Sequence, residues 1–246
     1  MKKMIICGLA STLLLCASCI DSIRFQKPGT LKPSETIAEK ELNLEPFSKV
    51  DFDVMGHVRI VQSEGNDYRI VLSAPENYLD LYTFKVDKGE LEMDMTNNKN
   101  NIDTENIEIT IYTPQLTRIE NNGLCSIVTD SLRCYQLTVE NSGVGSVQLN
   151  QLMVKRLSVD NSGVGSVTAS GTAEWANLDC SGVGHIHAKN LKAHRVKGDV
   201  SGVGGIECYV SDTLKASVSG IGSFKYAGNP RVKKLDDSGI GKISEL

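Results

Sequence analysis

The 246-residue sequence has few aromatic side chains, few prolines and no excess of positive charge. Aromatic residues make up 5% of the chain, Trp175 is the only tryptophan, and there are six prolines. The formal net charge is −4, and it becomes −6 if residues 1–18, which hold two lysines and no acid, are removed. A weakly acidic protein lacks the basic patch that phosphate backbones require, so nucleic acid is not expected as a partner.

Long apolar runs are confined to the N-terminus. Two lysines precede an apolar stretch over residues 4–15, which is typical of a secretory signal peptide and short for a membrane span. Residues 16–19, CASC, resemble the lipobox of bacterial lipoproteins, although Cys16 stands where such boxes usually carry Leu. We therefore expect a signal peptide over residues 1–18 and a lipid anchor at Cys19 that attaches the protein to a membrane. An ordinary signal peptide with an incidental cysteine is the alternative.

The remainder divides into a short linking region and one domain. Residues 19–46 hold three of the six prolines and show no apolar periodicity, so they are expected to form the lipidated N-terminus and a flexible tether. Residues 47–246 are long enough for one substantial core. Within them we expect irregular β rungs over 47–119 and seven glycine-turn repeats over 120–246.

The phrase Ser-Gly-Val/Ile-Gly recurs every 18–20 residues. A fixed period of this length is typical of a solenoid, whereas propeller blades need about 40 residues. We expect the glycines to form turns at positive φ, and the apolar residue between them, such as Val144, to point into the core. The predicted turn positions are Gly143, Gly163, Gly182, Gly202, Gly220 and Gly239, with a degenerate copy at Gly123.

Apolar and polar residues alternate on both sides of each turn. Leu157 and Val159 precede one turn, and Val167 and Ala169 follow it. A period of two predicts strands with one buried face, and the recurring glycines and β-branched residues disfavour helix. Each unit has two clear strands and a weaker third, such as residues 192–195. The sequence therefore predicts an all-β solenoid resembling a parallel β-helix, with rungs stacked about 4.8 Å apart.

Residues 47–119 lack the glycine phrase but contain further alternating segments, including KGELEMDM and IEITIYTPQLTRIENNG. With the opening EPFSKVDFDVMGHVRIVQ and the SGVG phrases, residues 47–246 resemble the family described as the putative auto-transporter adhesin, head GIN domain, found in exported proteins of Bacteroidetes-like bacteria. The resemblance implies a right-handed parallel β-helix-like fold, a periplasmic or surface location and an adhesin-like role. It supplies no catalytic residues.

Few patterns point to a metal or a cofactor. His185 and His187 alternate outward and Glu207 is expected one rung above His187, but the sequence specifies no third ligand, and a solvated face is the favoured interpretation. The phrase GVG at residues 143–145 lacks the third glycine of a dinucleotide loop and recurs in nearly every rung. The cysteines beyond Cys19 show no CxxC spacing and are expected to be dispersed buried thiols. We therefore predict no cofactor and no metal site.

An acidic residue precedes most first glycines by three positions. The favoured interpretation is that each carboxylate caps its own turn by accepting N–H bonds, with a divalent cation as the alternative. Next to these acids, asparagines at inward parity are expected to form a stacked amide ladder. The acidic column is Glu120, Glu140, Asp160, Asp179, Asp199, Ser217 and Asp236, and the asparagines are Asn121, Asn141 and Asn161.

Parallel β-helices also carry enzymes that cleave acidic polysaccharides, whose sites gather unrepeated charged groups and aromatic platforms. The low aromatic content, with Trp175 alone, counts against such an enzyme. We therefore expect a non-enzymatic lipoprotein of the bacterial outer membrane that binds an extracellular or envelope ligand, protein or glycan, as an adhesin-like module. A periplasmic structural lipoprotein without an adhesive role is the alternative, and the sequence leaves open which face of the membrane it occupies.

Overall fold

The computed structural model describes residues 31–96 and 102–246. The predicted signal peptide, residues 1–18, and the predicted lipid anchor, Cys19, lie outside these residues. In the described part of the chain, no helix is long and apolar enough to cross a bilayer.

The described residues form one hydrogen-bonded sheet and a short 3-10 helix, Glu76–Leu81. Its strands are β1 (Ile37–Asn43), β2 (Lys49–Asp53), β3 (Met55–Gln62), β4 (Arg69–Pro75), β5 (Tyr82–Asp87), β6 (Glu90–Met95), β7 (Glu108–Thr113), β8 (Arg118–Asn121), β9 (Leu124–Thr129), β10 (Leu132–Asn141), β11 (Val144–Asn161), β12 (Val164–Cys180), β13 (Val183–Val200), β14 (Val203–Val218), β15 (Ile221–Ala227), β16 (Val232–Asp237) and β17 (Lys242–Glu245).

From β8 onward the strands pair in parallel, one rung over the next. β11 pairs with β12 in three segments, which are Val144–Leu149, Leu152–Val154 and Arg156–Asn161, with a register shift between Leu149 and Leu152. The short middle segment corresponds to the weaker third strand expected from the sequence. Like residues lie over like residues at the glycine turns and in most of the core columns. The predicted all-β parallel solenoid is confirmed.

The interior is filled by the apolar residues of the alternating pattern. Leu157 and Val159 before the turn, and Val167 and Ala169 after it, are all buried, as are their counterparts in the neighbouring rungs. Each of these side chains packs on the equivalent side chain of the next rung, so the core is a set of stacked aliphatic columns. The predicted alternation is confirmed, because only a period of two can keep one face of every segment inward.

One polar column runs through this interior. Asn121, Asn141 and Asn161 are fully buried and stacked in register, as the sequence predicted. The side-chain amides of Asn121 and Asn141 each donate a hydrogen bond to the amide oxygen of the asparagine in the next rung. Asn161 Nδ2 donates instead to the carbonyl oxygen of Gly165 at 3.2 Å, which ends the ladder. In the following rung Cys180 occupies the same column, and its thiol lies 3.3 Å from the carbonyl oxygen of Gly184.

The glycine turns differ from the sequence prediction in the direction of their central residue. The alternation continues through the turn without a break, so Gly143 and Gly145 take the inward positions and Val144 points outward. The prediction that Val144, Val164, Val183, Val203, Ile221 and Ile240 point into the core is wrong, since all six are exposed.

Both glycines of a turn are needed for space, because a Cβ at either one would overlap the backbone of the preceding rung, and three of the second glycines also have a positive φ. Gly145, Gly165 and Gly204 have φ values of 144°, 149° and 156°, which other residues rarely adopt. The first glycines lack a positive φ, contrary to our expectation. They are needed for space, because a Cβ at Gly163 would overlap the carbonyl oxygen of Gly143 one rung earlier. The other predicted turn glycines meet the preceding rung in the same way.

The N-terminal part covers the first rungs with antiparallel strands. β2 and β3 stack in parallel on later strands, whereas β4 pairs antiparallel with β7 and with β1. The expected flexible tether over residues 19–46 is therefore wrong for Ile37–Asn43, which forms β1. The edge of β4 would otherwise expose unpaired backbone N–H and C=O groups. β1 pairs with these groups along its whole length, and this backbone pairing does not depend on the side chains of β1.

Candidate ligand-binding site

The corner between the second and third segments of each rung displays two successive side chains. Val154 and Leu157 are buried, whereas Lys155 and Arg156 between them are exposed. The alternation is interrupted here because the chain bends to close the rung. We call this surface the aromatic corner, and it consists of Tyr135, Gln136, Lys155, Arg156, Glu174, Trp175, His194 and Arg195, all exposed.

Trp175 lies at the centre of the aromatic corner with 45% of its surface exposed. The strand register places Arg156 directly opposite it on one side and Arg195 on the other. The guanidinium carbon of Arg195 lies 4.8 Å from the centroid of the indole ring, which is a cation–π contact. One face of the indole is therefore occupied by Arg195.

Arg195 is itself held in place by an acid. Its Nε lies 3.6 Å from Asp212 Oδ2, and Arg231 Nε donates to the other oxygen of the same carboxylate at 2.8 Å. The hydrogen bond from Arg231 keeps the pKa of Asp212 below its usual value, so the carboxylate stays charged. The positive charge of Arg195 is thus already paired.

A cleft of about 490 Å³ opens beside Trp175. It runs between two neighbouring columns of side chains and offers an indole, two cations, two side-chain amides and one hydroxyl. Its lining residues are Gln136, Arg156, Leu157, Ser158, Trp175, Ala176, Asn177 and Lys197, which include no carboxylate. Arg156 forms no ion pair within residues 31–96 and 102–246. Its guanidinium is therefore available to a ligand.

Tyr135 extends this surface toward the N-terminal rungs. Its side chain is 62% exposed, and Lys155 Nζ lies 5.5 Å from the centroid of its ring. Glu174 faces a neighbouring depression with Lys192 and His194 and does not line the cleft. The aromatic corner thus carries basic and aromatic groups along several rungs.

Sequence reasoning missed this site. In the sequence, Trp175 stands out only as the sole tryptophan, and the low aromatic content counts against a polysaccharide-cleaving enzyme. The available signal was the pair of exposed residues between two buried ones, as at Lys155 and Arg156, which interrupts the period of two. The same interruption recurs at 174–175 and 194–195.

The central residues of the glycine turns form a second surface, which we call the turn ridge. It is an uninterrupted column of aliphatic side chains, each about half exposed or more, and serines of the turns lie beside it. A contiguous exposed apolar column of this kind usually marks an interaction surface. The turn ridge consists of Leu124, Val144, Val164, Val183, Val203, Ile221 and Ile240.

The acidic residues before each turn are stacked in register, as predicted. The capping interpretation is wrong, however. Within the described part of the chain, no turn N–H donates to Asp160, Asp179 or Asp199. The turn donors instead bind the preceding rung, as when Gly163 N donates to the carbonyl of Asn141 at 2.8 Å.

The first rungs of the acidic column and its middle differ in their partners. Arg118 Nη2 lies 2.7 Å from Glu120 and 2.8 Å from Glu140, so these acids share a cation. Asp179 has acids on both sides, and its pKa is raised by burial and then by the charges of Asp160 and Asp199. The column is therefore compensated at its first rungs and self-repelling in the middle.

The predicted outward histidines lie where expected. His185 and His187 have stacked rings with centroids 5.6 Å apart, and Glu207 pairs in register with His187. Glu207 Oε2 is 4.0 Å from His187 Nδ1, and its other oxygen is 3.3 Å from Lys225 Nζ. No group of three or more potential metal-ligating acids, histidines or cysteines occurs in residues 31–96 and 102–246.

The four cysteines of the described chain are free thiols, as predicted. Three are buried, and Cys134 is half-buried. Burial raises the pKa of Cys125 and of Cys208 to about 12, and that of Cys134 to about 11. These thiols are therefore protonated at neutral pH and are poor nucleophiles.

Comparison with solved structures places the whole solenoid among related folds. A putative adhesin from Bacteroides fragilis NCTC 9343 is 31% identical with a TM-score of 0.85, over 88% of this chain and 100% of that chain. A putative lipid binding protein from Parabacteroides distasonis ATCC 8503 (19% identity, TM-score 0.66) and a putative adhesin from Parabacteroides merdae ATCC 43184 (19%, 0.65) share the fold, each over 88% of this chain and 99% of theirs.

The search of curated proteins found no match. Residues 46–230 match the family described as putative auto-transporter adhesin, head GIN domain. This span includes the covering strands from β2 onward, the glycine turns up to Gly220 and the aromatic corner. The chain therefore belongs to the putative auto-transporter adhesin, head GIN domain family.

Proposed function

We propose that the protein is a non-enzymatic, adhesin-like binding module of the cell envelope that binds its ligand at the aromatic corner. The observation that carries this proposal is the exposed indole of Trp175 beside Arg156 over an open cleft. The outward columns next to the glycine turns repeat one kind of side chain, as in the acidic column and the turn ridge. A unique aromatic residue between two arginines departs from that repetition, and structural stacking does not require it.

The proposal that the module binds without catalysis is supported by the chemistry of the cleft. Hydrolysis of a glycosidic bond uses a pair of carboxyl groups on either side of the bond, and the cleft is lined by cations, amides and a hydroxyl. The thiols are buried and protonated. A polysaccharide-cleaving enzyme is the alternative, and incubation with acidic polysaccharides followed by a reducing-end assay tests it. Release of reducing ends that depends on Arg156 would contradict a pure binding role.

The adhesive role is tested with cells that export the full-length chain. Wild-type cells should be retained on at least one surface in a panel of immobilised neutral polysaccharides, acidic polysaccharides and matrix proteins. Trp175→Ala and Arg156→Gln should reduce that retention, while Lys189→Gln, the same loss of charge at another exposed position, should leave it unchanged. Equal retention of all four strains on every surface would favour the structural lipoprotein without an adhesive role.

We also propose that a lipid on Cys19 holds the module at the outer membrane. The lipobox-like residues 16–19 support this attachment. Cys19→Ser should move the protein from the detergent-extracted membrane fraction to the soluble fraction, and an unchanged distribution would contradict the anchor. Protease treatment of intact cells then distinguishes the surface from the periplasmic face, because only a surface-exposed chain is degraded.

Contact with lipid is a second candidate function, and the turn ridge is the observation that favours it. A relative of the same fold is called a putative lipid binding protein, and the turn ridge presents a straight, uncharged aliphatic column. Co-sedimentation with phosphatidylcholine vesicles tests this role for the full chain with Cys19→Ser, which removes the anchor. Binding that is lost when Val164 and Val183 are both replaced by Ser would support it, and vesicle binding equal to that of the parent would contradict it.

A further inference from the structure

We propose that the cleft beside Trp175 binds a carboxylated sugar residue of an acidic polysaccharide. This inference rests on the proposed function, because it names the ligand class of the same site. Three properties of the cleft lead to it, which are the free face of the indole, the unpaired guanidinium of Arg156, and the polar side chains between them.

The indole provides a flat apolar platform of the size of one sugar ring. Arg195 covers one face of Trp175 at 4.8 Å, and its charge is paired with Asp212. A ligand therefore reaches Trp175 from the cleft side. The axial C–H groups of a pyranose ring form an apolar face, which packs on an aromatic ring while the hydroxyls point outward.

Arg156 provides the recognition of charge. The strand register places it directly opposite Trp175, and strands in a sheet are about 4.8 Å apart. A sugar ring on the indole thus presents its substituents within reach of the Arg156 guanidinium. This planar fork binds a carboxylate through two parallel hydrogen bonds, and within the described chain Arg156 has no acid as a competing partner.

The remaining polar groups of the cleft match sugar hydroxyls. Gln136, Ser158 and Asn177 supply both donors and acceptors, which a hydroxyl-bearing ring can satisfy and an apolar ligand cannot. Lys197 lies one rung beyond Asn177 and adds a second positive charge at the end of the cleft. The lining therefore favours a polyhydroxylated anion over an apolar molecule.

The acidic column limits how much charge the ligand can carry. Asp160 and Asp179 lie outside the lining of the cleft, two residues beyond the lining residues Ser158 and Asn177 on the same strands. A densely sulfated or phosphorylated polymer would meet these carboxylates and be repelled. A sugar with one carboxylate per ring places its charge at Arg156 and only hydroxyls toward the acids.

The sole tryptophan makes the site directly observable. Fluorescence excited at a wavelength that tyrosine does not absorb reports Trp175 alone, because no other tryptophan exists in the chain. Cys19→Ser protein is titrated with three probes, namely oligogalacturonate, hyaluronan fragments and sialyllactose, and with the methyl ester of each. We expect at least one free acid to change the emission, and its ester, which keeps the ring and loses the charge, to bind about tenfold more weakly.

Variants separate recognition of the carboxylate from stacking. Arg156→Gln should weaken the free acid about tenfold and leave the ester unchanged, whereas Lys189→Gln should change neither. Unchanged binding of the free acid by Arg156→Gln would overturn the proposal. A melting temperature equal to that of the parent shows that the exposed substitution leaves the fold intact.

Other outcomes would overturn the ligand class while leaving the proposed function to its own test. Equal affinity for acid and ester would show a neutral-sugar site, and tighter binding of heparin than of every carboxylated probe would show a site for dense charge. No fluorescence change with any of the three acids would overturn the carboxylated-sugar proposal. Retention of cells by the Trp175→Ala strain decides the adhesive role separately, because that assay also includes proteins and neutral glycans.

Discussion

The amide nitrogen of Asn141 lies 2.7 Å from the amide oxygen of Asn161 in the interior of the solenoid. Asn121 donates to Asn141 in the same way at 2.7 Å. Both bonds run along the solenoid axis and link rungs through side chains, in addition to the backbone ladder. The ladder is shielded from water, so each bond depends on its neighbour being present.

Removal of the middle amide should be costly. Asn141→Ala leaves Asn121 Nδ2 and Asn161 Oδ1 buried without a partner, and we expect a loss of about 3 kcal/mol in the free energy of unfolding. Urea denaturation measures this loss, with the exposed Ser142→Ala as control. Replacement of all three asparagines by Val should cost less than the three single losses added together, because the column accepts Val200 and Val218 in later rungs. An additive loss would contradict the ladder.

The first glycine of a turn should resist even the smallest side chain. Gly163→Ala places a Cβ against the backbone of Gly143 and Ser142, so the rung must separate from its neighbour, at a cost of about 2–4 kcal/mol. Gly65→Ala is the control, since Gly65 has a φ of 67° but open space around it and should lose only about 1 kcal/mol. Equal shifts in melting temperature would show that backbone conformation, and not rung spacing, limits the turn.

The middle of the acidic column should destabilise the protein at neutral pH. Burial, followed by the charges of Asp160 and Asp199, raises the pKa of Asp179 above 3.8. The native state therefore holds the proton more tightly, and stability is lost as the pH rises through the raised pKa. Asp179→Asn should stabilise by about 0.5 kcal/mol at pH 7, and the gain should vanish as the pH approaches 4.

Glu120 provides a matched control of opposite sign. Burial raises its pKa, but hydrogen bonds from Arg118 and Asn122 outweigh this and hold it below 4.5. Its contribution to stability is therefore present above pH 4.5 and lost as the pH falls. Glu120→Gln should lower the melting temperature at pH 7, and the two variants are compared by thermal unfolding from pH 4 to 8. If both variants shifted the melting temperature in the same direction at pH 7, the acidic column would not be compensated at Glu120 and self-repelling at Asp179.

Two valines of one strand test the direction of the turn ridge. Val183 is 55% exposed and Val200 is fully buried, and both belong to β13. Val200→Ala should cost about 2 kcal/mol through the lost burial of two methyl groups and the cavity left behind. Val183→Ala should cost less than about 1 kcal/mol, which reflects β propensity alone. Both losses in the free energy of unfolding are measured by urea denaturation. A loss at Val183 as large as that at Val200 would show that the side chains of the turn ridge are buried.

The core columns could be predicted from the sequence, but the turn could not be read from residue type. Leu157 and Val159 follow a period of two, and Asn141 follows the same period, so the amide ladder was predictable. The apolar side chain of Val144 predicts an inward position, although the same alternation, carried through Gly143, places it outward. The position of a residue in the inward–outward alternation therefore predicts its direction better than its polarity does, because the backbone of the rung imposes the alternation.

The aromatic corner and β1 are only weakly marked in the sequence, for a different reason. The outward pair Lys155 and Arg156 depends on where the rung bends, and the number of register shifts differs between rungs, with one between β11 and β12 and two between β13 and β14. Such bends follow from closure of the whole rung and leave only a weak local pattern. The pairing of Ile37–Asn43 depends on the open edge of β4, which lies elsewhere in the chain.

The in-register stacking of like residues makes each repeat a unit that can be added or removed. Deletion of residues 164–182 would join Gly163 to Val183, preserve every column, and shorten the axis by about 4.8 Å. It would also remove Trp175 and bring Arg156 against Arg195. The length of this molecule can therefore change in steps of one rung, whereas its binding chemistry depends on the few residues that a particular rung contributes.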